Sequence, residues 1–300
     1  MIELTTNQHN RFLRLILVWI TGLLTFFTLS HQLSAQPFYV HLDPSEVKSI
    51  TVNEKDAHVL VRPWSGKTRH GAAIIIGPTD HHPDTAGIIS YLRQQLNQYG
   101  WATISIEPSE GMFYPNFATS AEAVEKAGEQ QLALATNQTT PRYQAQQLLE
   151  LRNYQQDYLK SALAQLTEIG KAYPGKRMII VVDDSAGLIS NLLYENAIPF
   201  PNLLAVINPY REFEQDLDAE QQTASIAEQL TALSVPILDI QSPDGHPLSQ
   251  LHAPQRYNLN QIKPVSFYHQ YTLSLNMDTP SAWEEVLYVL KGFSNRVLKQ

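Results

Sequence analysis

The sequence predicts an α/β fold in which a doubly wound, mostly parallel sheet is covered by helices on both faces. Apolar runs rich in β-branched residues alternate along the chain with amphipathic segments, the order expected for parallel strands joined by helices. Runs such as residues 72–77 and 178–182 are apolar without alternation, as in strands buried on both faces. Hydrophobic residues make up 43% of the 300-residue chain and charged residues 17%, which allows one large core.

The elements follow from local patterns. Residues 57–64 and 71–78 predict two strands, and the polar turn between them is typical of a hairpin-like or adjacent pair. Residues 85–98 carry apolar side chains at helical spacing and stop at Gly100, so they predict a helix. Later apolar runs and amphipathic segments predict strands at 101–108, 177–182, 203–209, 235–247 and 264–273, with helices at 186–196, 218–234, 249–262 and 281–298.

Residues 109–175 differ from the rest of the chain. Their first part is polar and rich in Ala, Gln and Glu, and a long helical pattern at 142–173 ends at Pro174 and Gly175. We interpret 109–175 as a helical insertion in the fold, placed to act as a lid over a site.

The first 35 residues predict a secretory signal peptide. Arg11 and Arg14 precede an uncharged apolar stretch at 15–30, and Ala35 suits a cleavage site. An uncleaved inner-membrane anchor is the alternative, although the stretch is short of the roughly 20 residues of a membrane span. In both cases residues 36–300, the α/β domain, are expected in the periplasm, because the arginines stay inside. Contact with the membrane is expected only if the segment is uncleaved.

Composition excludes several classes of site. The net charge of −8 argues against nucleic acid as a partner, because an acidic surface repels phosphates. The chain has no cysteine, which excludes disulfides, thiolate metal sites and a lipid-modified cysteine. No cofactor is expected.

The segment 178–187, "MIIVVDDSAG", carries the main candidate for chemistry. A strand that delivers a serine into a sharp turn before a helix is a nucleophile elbow, which needs small residues two before and two after the serine. Gly187 meets the second requirement for Ser185, whereas Asp183 stands where glycine is expected. Asp184 as an aspartate nucleophile is the alternative, and a helix N-cap at Asp184 or Ser185 is the non-catalytic interpretation.

An activated serine needs an acid and a histidine later in the chain. Asp244 follows a predicted strand at the right edge and is the candidate acid, although "PDG" is also an ordinary turn. Asp239 lies inside that strand and is expected to be buried structural polarity. The loop after the last strand, 274–280, contains no histidine, and of the histidines nearby (His246, His252 and His269) only His246 is certain to lie at that edge.

The loop "GPTDHHPD" at 77–84 lies at the same edge. Backbone N–H groups near Thr79 and Asp80 would form an oxyanion hole facing the serine. The loop also contains His81, His82 and Asp84, which with the nearby aspartates could hold Zn²⁺ or Mn²⁺. We predict no metal, because adjacent side chains of an extended loop point apart; Asp84 could instead cap the helix at 85–98.

Together, "GPTDHHPD", "IIVVDDSAG", "VPILDIQSPDGHP" and "YHQYTL" resemble landmarks of a bacterial family of exported α/β-hydrolase-like proteins of unknown function. The family carries a "GQHPD" loop, a Gly-rich elbow, an "LDI…D.P" strand and a closing "YRQ…GADH" segment. The resemblance covers about residues 40–295 and implies an α/β-hydrolase-like fold. It matches the following residues of this chain: His82, Pro83, Asp84, Ser185, Gly187, Asp239 and Asp244.

This chain departs from the family pattern at its end. "SLNMD" stands in place of "PGADH", so that Asp278 falls near the expected histidine. The triad is therefore incomplete, and we predict a non-catalytic or weakly active protein whose cleft binds a small molecule or envelope component. One alternative is a periplasmic serine hydrolase of esters or amides that uses Ser185, Asp244 and His246. The other is a metal-dependent hydrolase.

Overall fold

The computed structural model describes residues 39–111, 145–211, 223–262 and 267–298. The chain divides into two compact units, Met1–Val47 and Lys48–Gln300. The described residues of the first unit, 39–47, are mostly turns. The predicted signal peptide lies outside the described residues. Among the helices that the structure does describe, none is long and apolar enough to cross a membrane.

In the described part of the chain, eight strands form one sheet in the order β1-β2-β4-β3-β5-β6-β7-β8. Strand β2 pairs antiparallel with β4, and the neighbours from β4 to β8 pair in parallel. The mostly parallel sheet is therefore confirmed. The strands are β1 (Val47–Val52), β2 (Lys55–Arg62), β3 (Gly71–Ile76), β4 (Trp101–Ile106), β5 (Lys176–Val182), β6 (Leu203–Ile207), β7 (Ile237–Gln241) and β8 (Tyr268–Thr272).

The expected pairing of the first two predicted strands is wrong. Strands β2 and β3 are not neighbours, because β4 lies between them. The turn between β2 and β3 leaves one strand position between them in the sheet, and β4 occupies that position. Strand β1, which the sequence patterns did not predict, pairs with β2 at the edge of the sheet.

Helices cover both faces of the sheet. They are α1 (Ile88–Gln95), α2 (Ala145–Lys171), α3 (Asp184–Tyr194), α4 (Ile226–Ala232), α5 (Pro247–Ile262) and α6 (Pro280–Val297). One apolar cluster joins the sheet to α2, α3 and α4, and a second joins it to α1 and α6.

The central strand β5 explains the apolar runs without alternation. Ile179 and Val181 belong to one apolar cluster, and Met178, Ile180 and Val182 belong to the other. Successive side chains of a strand point to opposite faces, so a strand covered on both sides must be apolar throughout.

Helix α2 lies within the segment that we expected to be an insertion and lid. It connects β4 to β5, and its buried residues Tyr158, Leu159, Ala162 and Leu166 pack into the cluster on one face of the sheet. This part of 109–175 is therefore a crossover helix of the fold, because its apolar stripe needs the sheet to cover it. Residues 112–144, the remainder of the expected lid, lie outside the described residues.

The parallel strands place their following loops at one edge of the sheet. The loops after β3, β5, β6, β7 and β8 all leave from the carboxyl ends of neighbouring strands. Open α/β sheets bind their ligands in the crevice at this edge. The candidate site is built there.

Candidate functional site

Asp183 occupies the tip of the sharp turn between β5 and α3. Its backbone has φ 56° and ψ −129°, a conformation that non-glycine residues seldom adopt. Its N–H still donates to the carbonyl of Ile207 on β6 at 2.8 Å, so the strand pairing runs up to the residue at which the chain reverses. The side chain lines the cleft described below. In the elbow geometry, Asp183 therefore stands where the nucleophile would be.

Ser185 is placed differently from the sequence-based expectation. It lies in the first turn of α3 with 0% of its surface exposed, and it is not among the residues that line the cleft. Its Oγ has no hydrogen-bond partner in the part of the chain that the structure describes. Ser185 fills the small-residue position two after the tip, which is the role that the sequence analysis gave to Gly187.

Gly187 lets α3 approach the loop after β6. A Cβ added there would lie 2.4 Å from the carbonyl oxygen of Tyr210, closer than any normal contact. The elbow is therefore displaced by two residues from the expected register. The apolar run of β5 ends at Val182, directly before Asp183, and this end could have located the turn from the sequence.

Replacing Gly187 with alanine is expected to destabilise the protein by about 2 kcal/mol, because the backbone of Tyr210 must move to admit the methyl group. The matched control is Gly292→Ala in α6, where an added Cβ meets nothing within 4 Å. That change is expected to be neutral or to stabilise by up to about 1 kcal/mol through helix propensity. Urea unfolding of both variants measures the difference, and equal effects would contradict the close approach.

Asp184, the alternative nucleophile, is turned away from the cleft into the early loop. It is 8% exposed, and its carboxylate accepts hydrogen bonds from the Thr79 N–H at 3.1 Å, from the Thr79 hydroxyl and from the Ser185 N–H at 2.9 Å. Burial raises the pKa of Asp184, and the hydrogen bonds oppose that shift.

These contacts occupy the expected oxyanion hole. In this type of elbow the hole consists of the N–H after the nucleophile position and an N–H from the loop after β3. Here the Thr79 N–H donates to the Asp184 carboxylate at 3.1 Å, while the Asp80 N–H donates to the carbonyl of Ser109 at 3.1 Å. The donors that we expected near Thr79 and Asp80 are therefore engaged within the protein.

The remaining polar residues of the early loop are spread apart. His81 lines the cleft and its Nδ1 lies 2.8 Å from the Thr79 carbonyl, whereas His82 is exposed and does not line it. Asp84 does not cap a helix, because α1 begins at Ile88; it pairs with the buried Arg93 at 2.8 Å. Among the described residues, no group of three or more His, Asp or Glu side chains is placed to hold a metal ion.

Asp244 lies in the loop after β7 and lines the cleft. Both of its carboxylate oxygens accept from the Met277 N–H at 2.9 Å, which joins this loop to the loop after β8. Desolvation would raise the pKa of Asp244, but hydrogen bonds from Met277 and Ser242 outweigh it and hold the pKa below its usual value. The carboxylate is therefore ionised and bound to backbone.

Asp239 is buried in β7, as its place inside an apolar run predicts. Its carboxylate accepts from Arg256 Nε at 2.8 Å, from the Tyr268 hydroxyl at 2.7 Å and from Gln270 at 3.0 Å. It is 0% exposed and does not line the cleft. Its role is to join β7, β8 and α5.

His246 is the one predicted histidine base that lines the cleft among the described residues. Its ring stacks on Tyr210 with centroids 3.9 Å apart and planes inclined by 12°, and its Nδ1 accepts from the Leu248 N–H at 3.3 Å. Burial lowers the pKa of His246, although the Asp184 carboxylate opposes the shift. His252 is exposed on α5, and His269 packs against Phe293 away from the cleft.

The cleft has a volume of about 780 Å³. Sequence patterns did not single out four of its lining side chains: Asn208, Tyr210, Met277 and Trp283. Asn208 and Tyr210 follow β6 directly, so their position after a predicted parallel strand is the signal that could have found them. Burial raises the pKa of Asp183 to about 7, and the charges of Asp184 and Asp244 add to the shift.

The strand order, the turn at Asp183 and the cleft at the carboxyl edge define an α/β-hydrolase-like protein. The chain belongs to the family described as "Protein of unknown function (DUF3530)", whose model matches residues 28–296. The expected family resemblance is thereby confirmed. A search of curated protein sequences found no match.

Several solved structures share this fold. Est1E from Butyrivibrio proteoclasticus, with ferulic acid bound, has a TM-score of 0.57 and 10% identity over 84% of this chain and 100% of that chain. The esterase domain of a Rhodothermus marinus protein has a TM-score of 0.51 and 11% identity, covering 83% of this chain and 97% of its own. An alpha-beta serine hydrolase homologue from Coxiella burnetii has a TM-score of 0.50 and 13% identity, with coverages of 83% and 97%. Similarity at these identities shows a shared fold.

Proposed function

We propose that this protein is an exported α/β-hydrolase-fold protein that binds a small molecule or envelope component in its cleft without hydrolysing it. The observation that carries the proposal is the pair Asp183 and Asp184. The first places a carboxylate where the nucleophile would be, and the second accepts from the Thr79 N–H, the oxyanion-hole donor of the loop after β3.

A carboxylate at the elbow does not support ester or amide hydrolysis. Attack by Asp183 on an acyl carbon would give an anhydride, and the oxyanion formed on the way would meet a Thr79 N–H already bound to Asp184. An aspartate can instead displace a leaving group from an alkyl carbon, which leaves an ester on the enzyme. Clearing that ester requires an activated water, and the loop 273–279 after β8 has no histidine to activate it.

The serine-hydrolase alternative lacks the contacts it needs. Ser185 is fully buried within α3, so its hydroxyl is not presented to a substrate in the cleft. The Nδ1 of His246 accepts from Leu248, while Asp244, the candidate acid, is held by the Met277 N–H. Serine, histidine and acid are therefore not linked in a relay. The metal-dependent alternative has no supporting cluster in the described residues.

Export is supported by the N-terminal pattern: Arg11 and Arg14, the apolar stretch 15–30 and Ala35. A protein of the periplasm meets soluble small molecules and envelope components directly. The proposed ligand comes from that compartment.

Incubating the purified protein with a fluorophosphonate probe is expected to give no labelling, because no activated serine faces the cleft. Esters of p-nitrophenol are expected to be hydrolysed no faster than in buffer. An esterase of the same fold, labelled in parallel, is the positive control. Labelling that disappears in Ser185→Ala would overturn the proposal in favour of a serine hydrolase.

A second reagent tests the alternative in which Asp183 is an aspartate nucleophile. Intact-mass measurement after incubation with styrene oxide is expected to show no covalent adduct. An adduct that is lost in Asp183→Asn would instead identify an aspartate nucleophile and contradict a purely binding role.

A further inference from the structure

We infer that the ligand of the cleft is a small organic cation, an amine or quaternary ammonium group carried on an apolar or aromatic body. The inference rests on the proposed binding function and names its ligand class. It is carried by the shape and walls of the cavity, by one carboxylate without a partner, and by the aromatic rings around it.

The cavity has the size and the apolar walls of a small-molecule site. Its volume of about 780 Å³ falls in the range of about 300–1,000 Å³ that holds drug-sized ligands. The apolar side of the wall comes from the loop after β3, the start of α1, the end of β5 and the start of α5. These residues are Pro78, Ala86, Ile88, Ile89, Val182 and Pro247.

The charged side chains of the wall are acidic. Asp183, Asp244 and Asp278 line the cavity, and the lining residues among the described part of the chain include no lysine or arginine. An anionic ligand would meet only repulsion from these carboxylates. The polar wall therefore selects against anions.

Asp183 is the partly buried carboxylate of the wall that is available to a ligand, whereas Asp278 is exposed to solvent. Asp184 is held by Thr79 and Ser185, and Asp244 by Met277, whereas the side chain of Asp183 makes no hydrogen bond to any described residue. A largely desolvated carboxylate without a cationic partner is costly, and a bound ammonium would supply that partner. The positive end of α3 does not repel such a ligand, because the Asp184 carboxylate already neutralises it.

Aromatic rings complete the site. Tyr210 and His246 form a stacked pair in the wall of the cavity, and Trp283 also lines it. The Trp283 N–H donates to the Met277 carbonyl, so the indole presents only ring surface to a ligand. Cations bind over such rings, and an apolar or aromatic body packs beside them.

The test uses three indole compounds that differ in charge: tryptamine, tryptophol and indole-3-acetate. Calorimetric titration into the full-length protein near pH 8, where Asp183 is ionised, compares a cation, a neutral alcohol and an anion on one ring. We expect tryptamine to bind about tenfold or more tightly than tryptophol, and indole-3-acetate to bind most weakly. In Asp183→Asn the preference for tryptamine over tryptophol is expected to fall by about tenfold.

The matched control is Asp157→Asn, which removes the same charge from an exposed position of α2 outside the cavity. This variant is expected to keep the preference for tryptamine. Equal binding of tryptamine and tryptophol, an unchanged preference in Asp183→Asn, or no binding of any of the three would overturn the inference. Failure of the proposed function is recognised separately, by labelling of Ser185 or by ester turnover.

Discussion

Replacing Asp183 with asparagine is expected to stabilise the protein by about 3 kcal/mol at pH 8 and by less than about 1 kcal/mol at pH 4. Burial raises the pKa of Asp183 from 3.8 to about 7, so the folded protein holds this proton more tightly than the unfolded chain. When Asp183 is ionised in both the folded and the unfolded chain, this pKa difference corresponds to a loss of about 4 kcal/mol of stability. We reduce this loss to about 3 kcal/mol because the side chain is partly exposed. Asparagine keeps the shape and tolerates positive φ.

The sign follows from the direction of the shift. A carboxyl whose pKa is raised by folding contributes stability that is complete below pH 3.8 and is lost as the pH rises through about 7. The wild type should therefore lose stability over this range relative to the variant. The titratable groups of the cleft and its floor that surround Asp183 are Asp184, Asp244, Asp278, His81, His246 and Tyr210.

Urea unfolding of wild type and variant at several pH values between 4 and 8 measures this difference. Asp157→Asn is the control, because it removes a carboxylate from an exposed position of α2 and is expected to change the free energy of unfolding by less than about 0.5 kcal/mol. If the difference in the free energy of unfolding between wild type and Asp183→Asn stayed constant from pH 4 to 8, folding would not raise the pKa of Asp183. A stabilising change at a cleft residue would fit a position kept for binding at a cost to stability.

Replacing Asp239 with alanine is expected to destabilise the protein by about 3–5 kcal/mol. Arg256 would be left with its charge buried, since its side chain is 1% exposed and Asp239 Oδ2 is its ion-pair partner at 2.8 Å. The Tyr268 hydroxyl and the Gln270 amide would lose an acceptor as well. The free energy of unfolding in urea measures the loss.

The double variant Asp239→Leu, Arg256→Met is the informative companion, because it removes both charges together. Replacing a buried pair by apolar residues is often neutral, so the double variant is expected to recover much of the loss. If the alanine variant cost less than about 1 kcal/mol, the pair would not be desolvated as the structure places it.

Much of the fold was predictable because burial leaves a local pattern. The runs at 72–77 and 178–182 are apolar throughout since β3 and β5 are covered on both faces. The place of Asp239 inside such a run was enough to predict a buried structural carboxylate. Strand order was not predictable in the same way: β4 enters between β2 and β3, and no local pattern encodes which strand becomes a neighbour.

The sequence predicted where the candidate site lies, but it did not predict which of the site's residues contact one another. The sequence placed the turn after β5, the loop of Asp244 and the missing histidine after β8 at one edge of the sheet. It did not show that Asp184 bonds to Thr79, 105 residues away, or that Asp244 bonds to Met277, 33 residues away. Such hydrogen bonds join loops that only the folded sheet brings together.

By itself, therefore, the sequence determined the layers of this protein, the edge of the sheet that holds the candidate site and the absence of a histidine from the last loop. The tertiary structure alone decided which residue of "VVDDSAG" stands at the tip of the elbow. The reason is that the turn begins where pairing with β6 ends, at the bond from Asp183 to Ile207. With that bond in place, Asp183 faces the cleft, Asp184 binds the Thr79 N–H, and Ser185 lies buried in the first turn of α3.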